Sequence, residues 1–167
     1  YAGQEIEIAE TAADFYNERQ KAAVSLDKVL EQNEQFGIGM NGEITAVTFG
    51  LFAAEDLTAA DGSIIPADSL LEILSVDENG HAVCKTDLPF GSYYLKELST
   101  DGHYILSDEK YPIVFDYAGQ DTALVEIKVN NGNPIGNDLI YGEIHGLKKD
   151  EDGNALGGAL IGLFKAD

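Results

Sequence analysis

Three residue types in this chain stand where an ordinary surface would not put them. Glu97 is in phase with Tyr93 and Leu95 along a strand-like run, so its carboxyl shares one face with two apolar side chains. A carboxylate placed there is costly unless it has a task or a partner. An asparagine and a lysine also recur together: Asn17 precedes Lys28 by 11 residues, and Asn137 precedes Lys148 by the same 11. An apolar residue two before each asparagine, Phe15 or Ile135, sets it on the apolar face of a strand. Carboxyl, amine and carboxamide groups offer proton transfer and nucleophilic chemistry. Spacing alone does not decide which of them meet.

Other chemistries find little footing. His81, His103 and His145 are far apart and no cysteine pairs with them, which leaves no metal-ligand spacing and assigns them turn and surface roles. Asp150-Glu151-Asp152-Gly153-Asn154 lacks the twelve-residue pattern and terminal glutamate of a calcium loop, and reads as a hairpin turn like Asp77-Glu78-Asn79-Gly80. No metal or cofactor is expected, and no serine, histidine and aspartate arrangement marks a hydrolase. Cys84 is the single cysteine, so an internal disulfide is excluded and a small buried hydrophobe is the expected role.

Thirty acidic residues against ten basic ones give a formal charge of −20, which repels a phosphate backbone and argues against nucleic acid as a partner. The same charge keeps an exposed rod soluble. No apolar run approaches the 18 or so residues that would span a membrane.

The elements that must position these groups are short strands. Period-two patterning predicts strands over 43–52, 70–74, 81–85, 92–98, 111–116 and 123–129, and Asp61-Gly62, Asn79-Gly80, Phe90-Gly91, Asp101-Gly102 and Asn131-Gly132 supply turns between them. That spacing predicts a β-sandwich. Residues 11–33 are ambiguous, because Phe15, Ala22, Leu26, Val29 and Leu30 also fit a helical stripe. Val24-Leu26-Lys28 alternates, however, and corresponds to Ile144-Gly146-Lys148, where glycines disfavour a helix. A strand is therefore expected around 22–29, with a short helix at 11–16 or 30–35 left open.

The chain also repeats itself. Tyr1-Ala2-Gly3-Gln4 recurs as Tyr117-Ala118-Gly119-Gln120, and Val47-Thr48-Phe49-Gly50-Leu51-Phe52 as Ala159-Leu160-Ile161-Gly162-Leu163-Phe164. Such a pattern is that of a tandem array. Residues 1–17 read as the last strand of a preceding repeat, 18–141 as one complete sandwich domain, and 142–167 as the first strands of a following repeat.

In this order the motifs resemble the collagen-adhesin B-type (Cna-B) domains, the prealbumin-like modules of Gram-positive surface adhesins and pilins. Val47-Thr48-Phe49-Gly50-Leu51 fits the family's small-x-aromatic-x-Leu strand. Leu88-Pro89-Phe90-Gly91-Ser92-Tyr93-Tyr94-Leu95-Lys96-Glu97 matches its leucine, glycine turn and Tyr-x-Leu-x-Glu, and Gly102-His103-Tyr104 its Gly-Tyr with His103 inserted. Lys148 to Ala159 resembles the family's opening. The stretch between Lys28 and Phe49 is longer than the family's usual short turn.

The resemblance implies an all-β, prealbumin-like (reverse immunoglobulin-like) β-sandwich, with room for one short helix. It implies a stalk module, not an enzyme, in an extracellular protein attached to the cell wall. Its expected partners are adjacent repeats of the same polypeptide, with a host extracellular ligand as a further expectation. It also implies an intramolecular isopeptide bond between a first-strand lysine and a last-strand asparagine, assisted by a glutamate. Carried over, these are Lys28, Asn137 and Glu97, with Asn131 as the alternative acceptor, because Asn131 continues the phase of Val125-Ile127-Val129. Asn17 and Lys148 are the equivalents in neighbouring repeats. Burial favours a free amine and a neutral carboxylic acid, so the amine could attack the amide while the acid hydrogen-bonds its carbonyl oxygen and passes a proton to departing ammonia. The competing reading is a binding module whose Tyr93, Tyr94, Tyr104, Tyr111 and Tyr117 line a ligand face.

Overall fold

Alternating burial along the longest strands decides the layering. In β1 (Lys21–Leu30) Val24, Leu26 and Lys28 point inward, and in β7 (Gly91–Ser99) Tyr93, Leu95 and Glu97 do. Each run spends two core positions on apolar side chains and the third on a charged one. The structure is a computed structural model that describes residues 19–59 and 61–164.

The remaining strands are β2 (Thr48–Ala53), β3 (Leu57–Thr58), β4 (Ile64–Ile65), β5 (Leu70–Ser75), β6 (His81–Val83), β8 (Lys110–Phe115), β9 (Leu124–Lys128) and β10 (Ile135–Asn137). One sheet runs β5-β2-β7-β8 with antiparallel neighbours. In the other, β1 is central: β6 pairs it antiparallel on one side, while β9 and then β10 pair it in parallel. β3 and β4 form a small separate ladder. Phe49, Leu51, Leu95, Ile113 and Phe115 from the first sheet pack on Val24, Leu26, Ala82 and Ile135 from the second. This is the prealbumin-like β-sandwich that the sequence implied.

The predicted strands match except at particular points. The strand expected from residue 43 begins at Thr48, because Glu43–Ala46 is a 3-10 turn. Gly42 enters that turn in the left-handed region, and the Glu43 carboxylate accepts the Gly39 and Asn41 amides at 3.1 and 2.7 Å. Residues 30–35 are not helical: β1 ends at Leu30, and Asn33 bridges Ile38 in a small hairpin. The 11–16 alternative, Asn17 and the Tyr1 to Gln4 motif lie outside the described residues.

β9 and β10 form one edge broken by a bulge. Asn130 and Asn131 both take left-handed conformations in a turn over Val129–Gly132, and the pairing to β1 slips by four residues across it. Beyond Gly142 the described chain carries an isolated Lys149–Ala155 bridge around a turn in which Asp150 accepts the amides of Asp152 and Asn154. Asp77 closes the β5–β6 turn in the same way, accepting from Asn79 and His81. Gly50 and Gly162 also share a feature, a phenyl ring two residues on (Phe52 or Phe164) folded over the glycine.

Gly80 is where backbone approach is tightest beside the inward-facing lysine. Its φ of +82° is left-handed, its carbonyl accepts the Lys28 amide at 2.6 Å, and a Cβ there would collide with the Lys28 carbonyl oxygen. Gly62 has a similar φ but open space around it. Gly62→Ala should therefore lose about 1 kcal/mol in chemical denaturation, and Gly80→Ala a further ~1–3 kcal/mol from strain at the β1–β6 contact. Equal losses would show that the close approach is unimportant.

Candidate functional site

The inward alternation of three strands ends at one place. Lys28 closes the Val24, Leu26 series on β1, Glu97 closes Tyr93, Leu95 on β7, and Asn137 follows Ile135 on β10. They are 2%, 1% and 3% exposed, and the side chains of Lys28 and Glu97 are wholly shielded. β1 and β10 are parallel neighbours, with Lys28 opposite Ile135 and Leu30 opposite Asn137. Glu97 reaches the pair from the opposite sheet.

The contacts are specific. Lys28 Nζ donates to Asn137 Oδ1 and to the carbonyls of Ile135 and Val29, at 3.1 and 3.2 Å for the two carbonyls. It lies 3.7 Å from Glu97 Oε1, which has no hydrogen-bond partner. Asn137 Nδ2 donates to Glu97 Oε2 at 2.9 Å and to the Ile105 carbonyl at 2.8 Å. The Ser107 amide also donates to Glu97 Oε2, at 2.9 Å. With two acceptors facing Nδ2 and a donor facing Oδ1, the amide orientation follows from its surroundings.

Burial is the largest influence on Lys28, and it lowers the amine to about 8; Glu97 and Asp138 partly offset it by favouring the charged form. Roughly a tenth to a fifth of the amine is then neutral near physiological pH, against less than about 0.1% at the ordinary value, and that fraction can act as a nucleophile. The arrangement differs from the sequence expectation in one respect: the glutamate meets the amide nitrogen, and the carbonyl oxygen faces the lysine. A proton on that carboxyl is therefore placed for the nitrogen that would leave, not for the oxygen. The orphan Oε1, beside Nζ, is the acceptor within reach of a proton from the amine.

Asn131 is exposed in the bulge turn, and the structure does not bring it to Lys28. Its left-handed backbone ends the alternation that made it look like a continuation of β9. Lys148 is exposed. The backbone groups of Ile105 and Ser107 left no signal in the sequence, since any residue type supplies them. Among the tyrosines, Tyr93, Tyr94, Tyr104 and Tyr111 are buried, and their hydroxyls donate to Pro89 O, Asp68, Glu31 O and Glu109. Tyr117 is exposed, so these five form no continuous outer face. Cys84 donates to Glu72, and burial pushes its thiol up to about 12, away from reactivity. Among the described residues no three histidine, cysteine or acidic side chains converge.

Comparison with known proteins places the chain. The profile of the SpaA prealbumin-like fold domain matches residues 39–133, more than half of the chain, a span that includes Glu97 and excludes Lys28 and Asn137. Similar solved structures include a minor pilin of Streptococcus agalactiae (17% identity, TM-score 0.45, 77% of this chain and 49% of that one). The group B streptococcus pilus 2b backbone protein is similar at 16% identity and TM-score 0.42, covering 72% of this chain and 42% of that one. The major pilin subunit of Bacillus cereus is similar at 20% identity and TM-score 0.38, over 71% and 29%. The chain spans less than half the length of each. No curated protein matches the sequence.

The depressed Lys28 amine has a consequence for stability. Its folded pKa, about 8, lies below the ordinary 10.5, so between those values the unfolded chain binds more protons and stability rises with pH. The penalty is felt in full below pH 8. In an Asn137→Ala chain, where Lys28 stays an amine, unfolding free energy should climb by on the order of 1–2 kcal/mol from pH 8 towards 9.5 relative to the same chain with Lys28→Met added, and equal pH profiles for the two would contradict a depressed Lys28. The comparison with the Lys28→Met chain is needed because Cys84 above about 9, and Tyr93 and Tyr111 above about 10, all pushed up to about 12 by burial, act in the opposite direction.

Proposed function

The chain belongs to the SpaA family of prealbumin-like domains, and from that premise we propose that it is a stalk module of a cell-wall-attached, extracellular adhesin or pilus-like protein, closed by an isopeptide bond between Lys28 and Asn137. The single observation that supports this best is a buried amine against a buried carboxamide on the first and last strands, with a buried carboxyl touching both. In this reading 18–141 is one module, 1–17 and 142–167 belong to its neighbours, and its regular partners are adjacent repeats.

The step balances without a cofactor. The neutral Lys28 amine attacks Asn137 Cγ, and the Cγ–Nδ2 bond breaks as the new Nζ–Cγ amide forms. One amine proton passes to Glu97 and one proton returns from Glu97 to Nδ2, which leaves as ammonia. Glu97 ends as it began. The event happens once per molecule and is a maturation step.

A buried charge pair is a weak source of net stability, because desolvation opposes its attraction. Converting the amine and carboxamide into one neutral amide removes the lysine's part of that penalty and closes a loop spanning 109 residues. The chain-entropy estimate for such a cross-link is about 4–5 kcal/mol. The mechanical effect is larger in kind: tension entering β1 crosses to Asn137 through a covalent bond, and strands β2 to β9 lie inside the closed loop. A stalk with one cysteine gains in this way what a disulfide supplies elsewhere.

Single-molecule stretching of the chain held at its two ends tests this function. The wild-type protein should give no extension from the segment between Lys28 and Asn137 at forces that unfold other domains. Asn137→Ala should unfold and release that 109-residue span, about 370 Å of extra contour at roughly 3.4 Å per residue. Equal extension of both chains would rule the tie out.

A further inference from the structure

We propose that Glu31 is a positioning residue for the cross-link: its carboxylate fastens the segment after Asn137 to the end of β1 and thereby holds the Asn137 side chain facing Lys28. The inference rests on the isopeptide reading above and assigns to that reaction a residue outside the buried pocket.

Glu31 directly follows β1, and its amide donates to the Asn137 carbonyl at 3.0 Å, continuing the parallel pairing that sets Leu30 opposite Asn137. Its side chain then turns along β10. Oε2 accepts the Leu139 amide at 2.8 Å and Oε1 accepts the Tyr141 hydroxyl at 2.6 Å. A surface carboxylate is ordinarily satisfied by water, yet both oxygens of this one are used within the protein, and on the same short segment. The two donors hold the acid below the usual carboxylate range, Tyr141 contributing most. Hydrogen bonds to an ionised acceptor are the stronger kind.

The backbone of Glu31 is itself held. Its carbonyl accepts the Tyr104 hydroxyl at 3.0 Å, and Gly39 lies so near that a Cβ there would sit 2.8 Å from that carbonyl and 2.6 Å from the hydroxyl. On the far side of β10, the Ile105 amide donates to Asp138 O and the Ile140 amide to His103 O, at 3.0 and 2.8 Å. The Ile105 carbonyl also accepts Asn137 Nδ2. The exit segment is thus stitched on both edges, by Glu31 on one and residues 103–105 on the other.

The physical need for such a latch comes from the length of β10. It has three residues and follows a bulge that already slips the register. A slip of one residue turns every side chain of a strand to the opposite face, and here that would carry Asn137 from the pocket to solvent. On the β1 edge three paired residues resist such a slip weakly, while residues 103–105 hold the other edge. Glu31 bonds the Leu139 amide and the Tyr141 hydroxyl just beyond β10, so it resists a shift of the segment that buries the amide. Once the bond exists Asn137 is held covalently and the latch is no longer needed for alignment.

The test is the rate of bond formation. Chain made by cell-free synthesis is sampled after translation is stopped, at a series of pH values, and the fraction that has lost one ammonia is read by intact mass. Wild type should react with a rate that rises through about pH 8 to a plateau. Glu31→Ala should lower the plateau by at least about tenfold, within the hundredfold that a misplacement of about 1 Å can cost, without moving the midpoint. Tyr141→Phe, which keeps the Leu139 contact, should lose less, and Glu31→Gln should fall between wild type and Glu31→Ala. A midpoint shifted upward would mean that Glu31→Ala merely admits water to Lys28, and would overturn the positioning role. Equal plateaus for wild type and Glu31→Ala would overturn it while leaving the isopeptide reading intact. A wild-type chain that never loses ammonia would overturn both.

Discussion

An amine buried between two apolar sheets is the constraint on which the remaining structure turns. Lys28 occupies the third inward position of β1, where Val24 and Leu26 show what the packing would otherwise favour. Burying its charge is expensive, and the surroundings answer that cost in several ways. Two backbone carbonyls and Asn137 accept from Nζ, Glu97 stands 3.7 Å away, and the amine titrates near 8. Gly80 is a glycine because the β6 turn must pass closely over the backbone of this residue. The Val129–Gly132 bulge has its place in the same design. It resets the register so that the edge beside β1 presents Ile135 and Asn137, and not Asn131, at the end of the core.

Among the described residues two buried side-chain polar atoms lack a hydrogen-bond partner, Thr100 Oγ1 and Glu97 Oε1, and the second lies beside the lysine. Glu97 Oε2 accepts from Asn137 and from the Ser107 amide, while Oε1 accepts from nothing. A buried oxygen without a donor costs free energy in a finished fold. In the proposed reaction this oxygen is the acceptor for the proton that the Lys28 amine releases. The unreacted pocket therefore resembles a ground state held close to its reaction, with strand geometry supplying the alignment that an enzyme would supply to a substrate.

The parts of this account readable from the sequence are those that depend on period-two alternation. Tyr93-Leu95-Glu97 marks a carboxyl on a buried face, Val24-Leu26-Lys28 marks the strand that carries the lysine, and the turns at Asn79-Gly80 and Asp101-Gly102 fall between strands. Alternation fails wherever one residue leaves the extended region. The left-handed Asn130 and Asn131 made Asn131 look in phase although it points outward, and the Glu43 side chain folds residues 43–46 into a turn that a hydrophobic pattern cannot register. The β3 and β4 ladder is too short to carry a pattern at all. The Ile105 carbonyl that takes Asn137 Nδ2, the Ser107 amide on Glu97 and the Leu139 amide on Glu31 are backbone groups, and backbone groups have no sequence signature.

The central claim is that Lys28 and Asn137 are one covalent unit. Intact mass of the purified wild-type chain, followed by proteolysis and peptide mapping, tests it most directly. The account predicts a mass short by one ammonia, with the peptides that hold Lys28 and Asn137 recovered as a single branched species. A full sequence mass with the two peptides separate would contradict it, and would leave a prealbumin-like sandwich with a buried, unreacted ion pair.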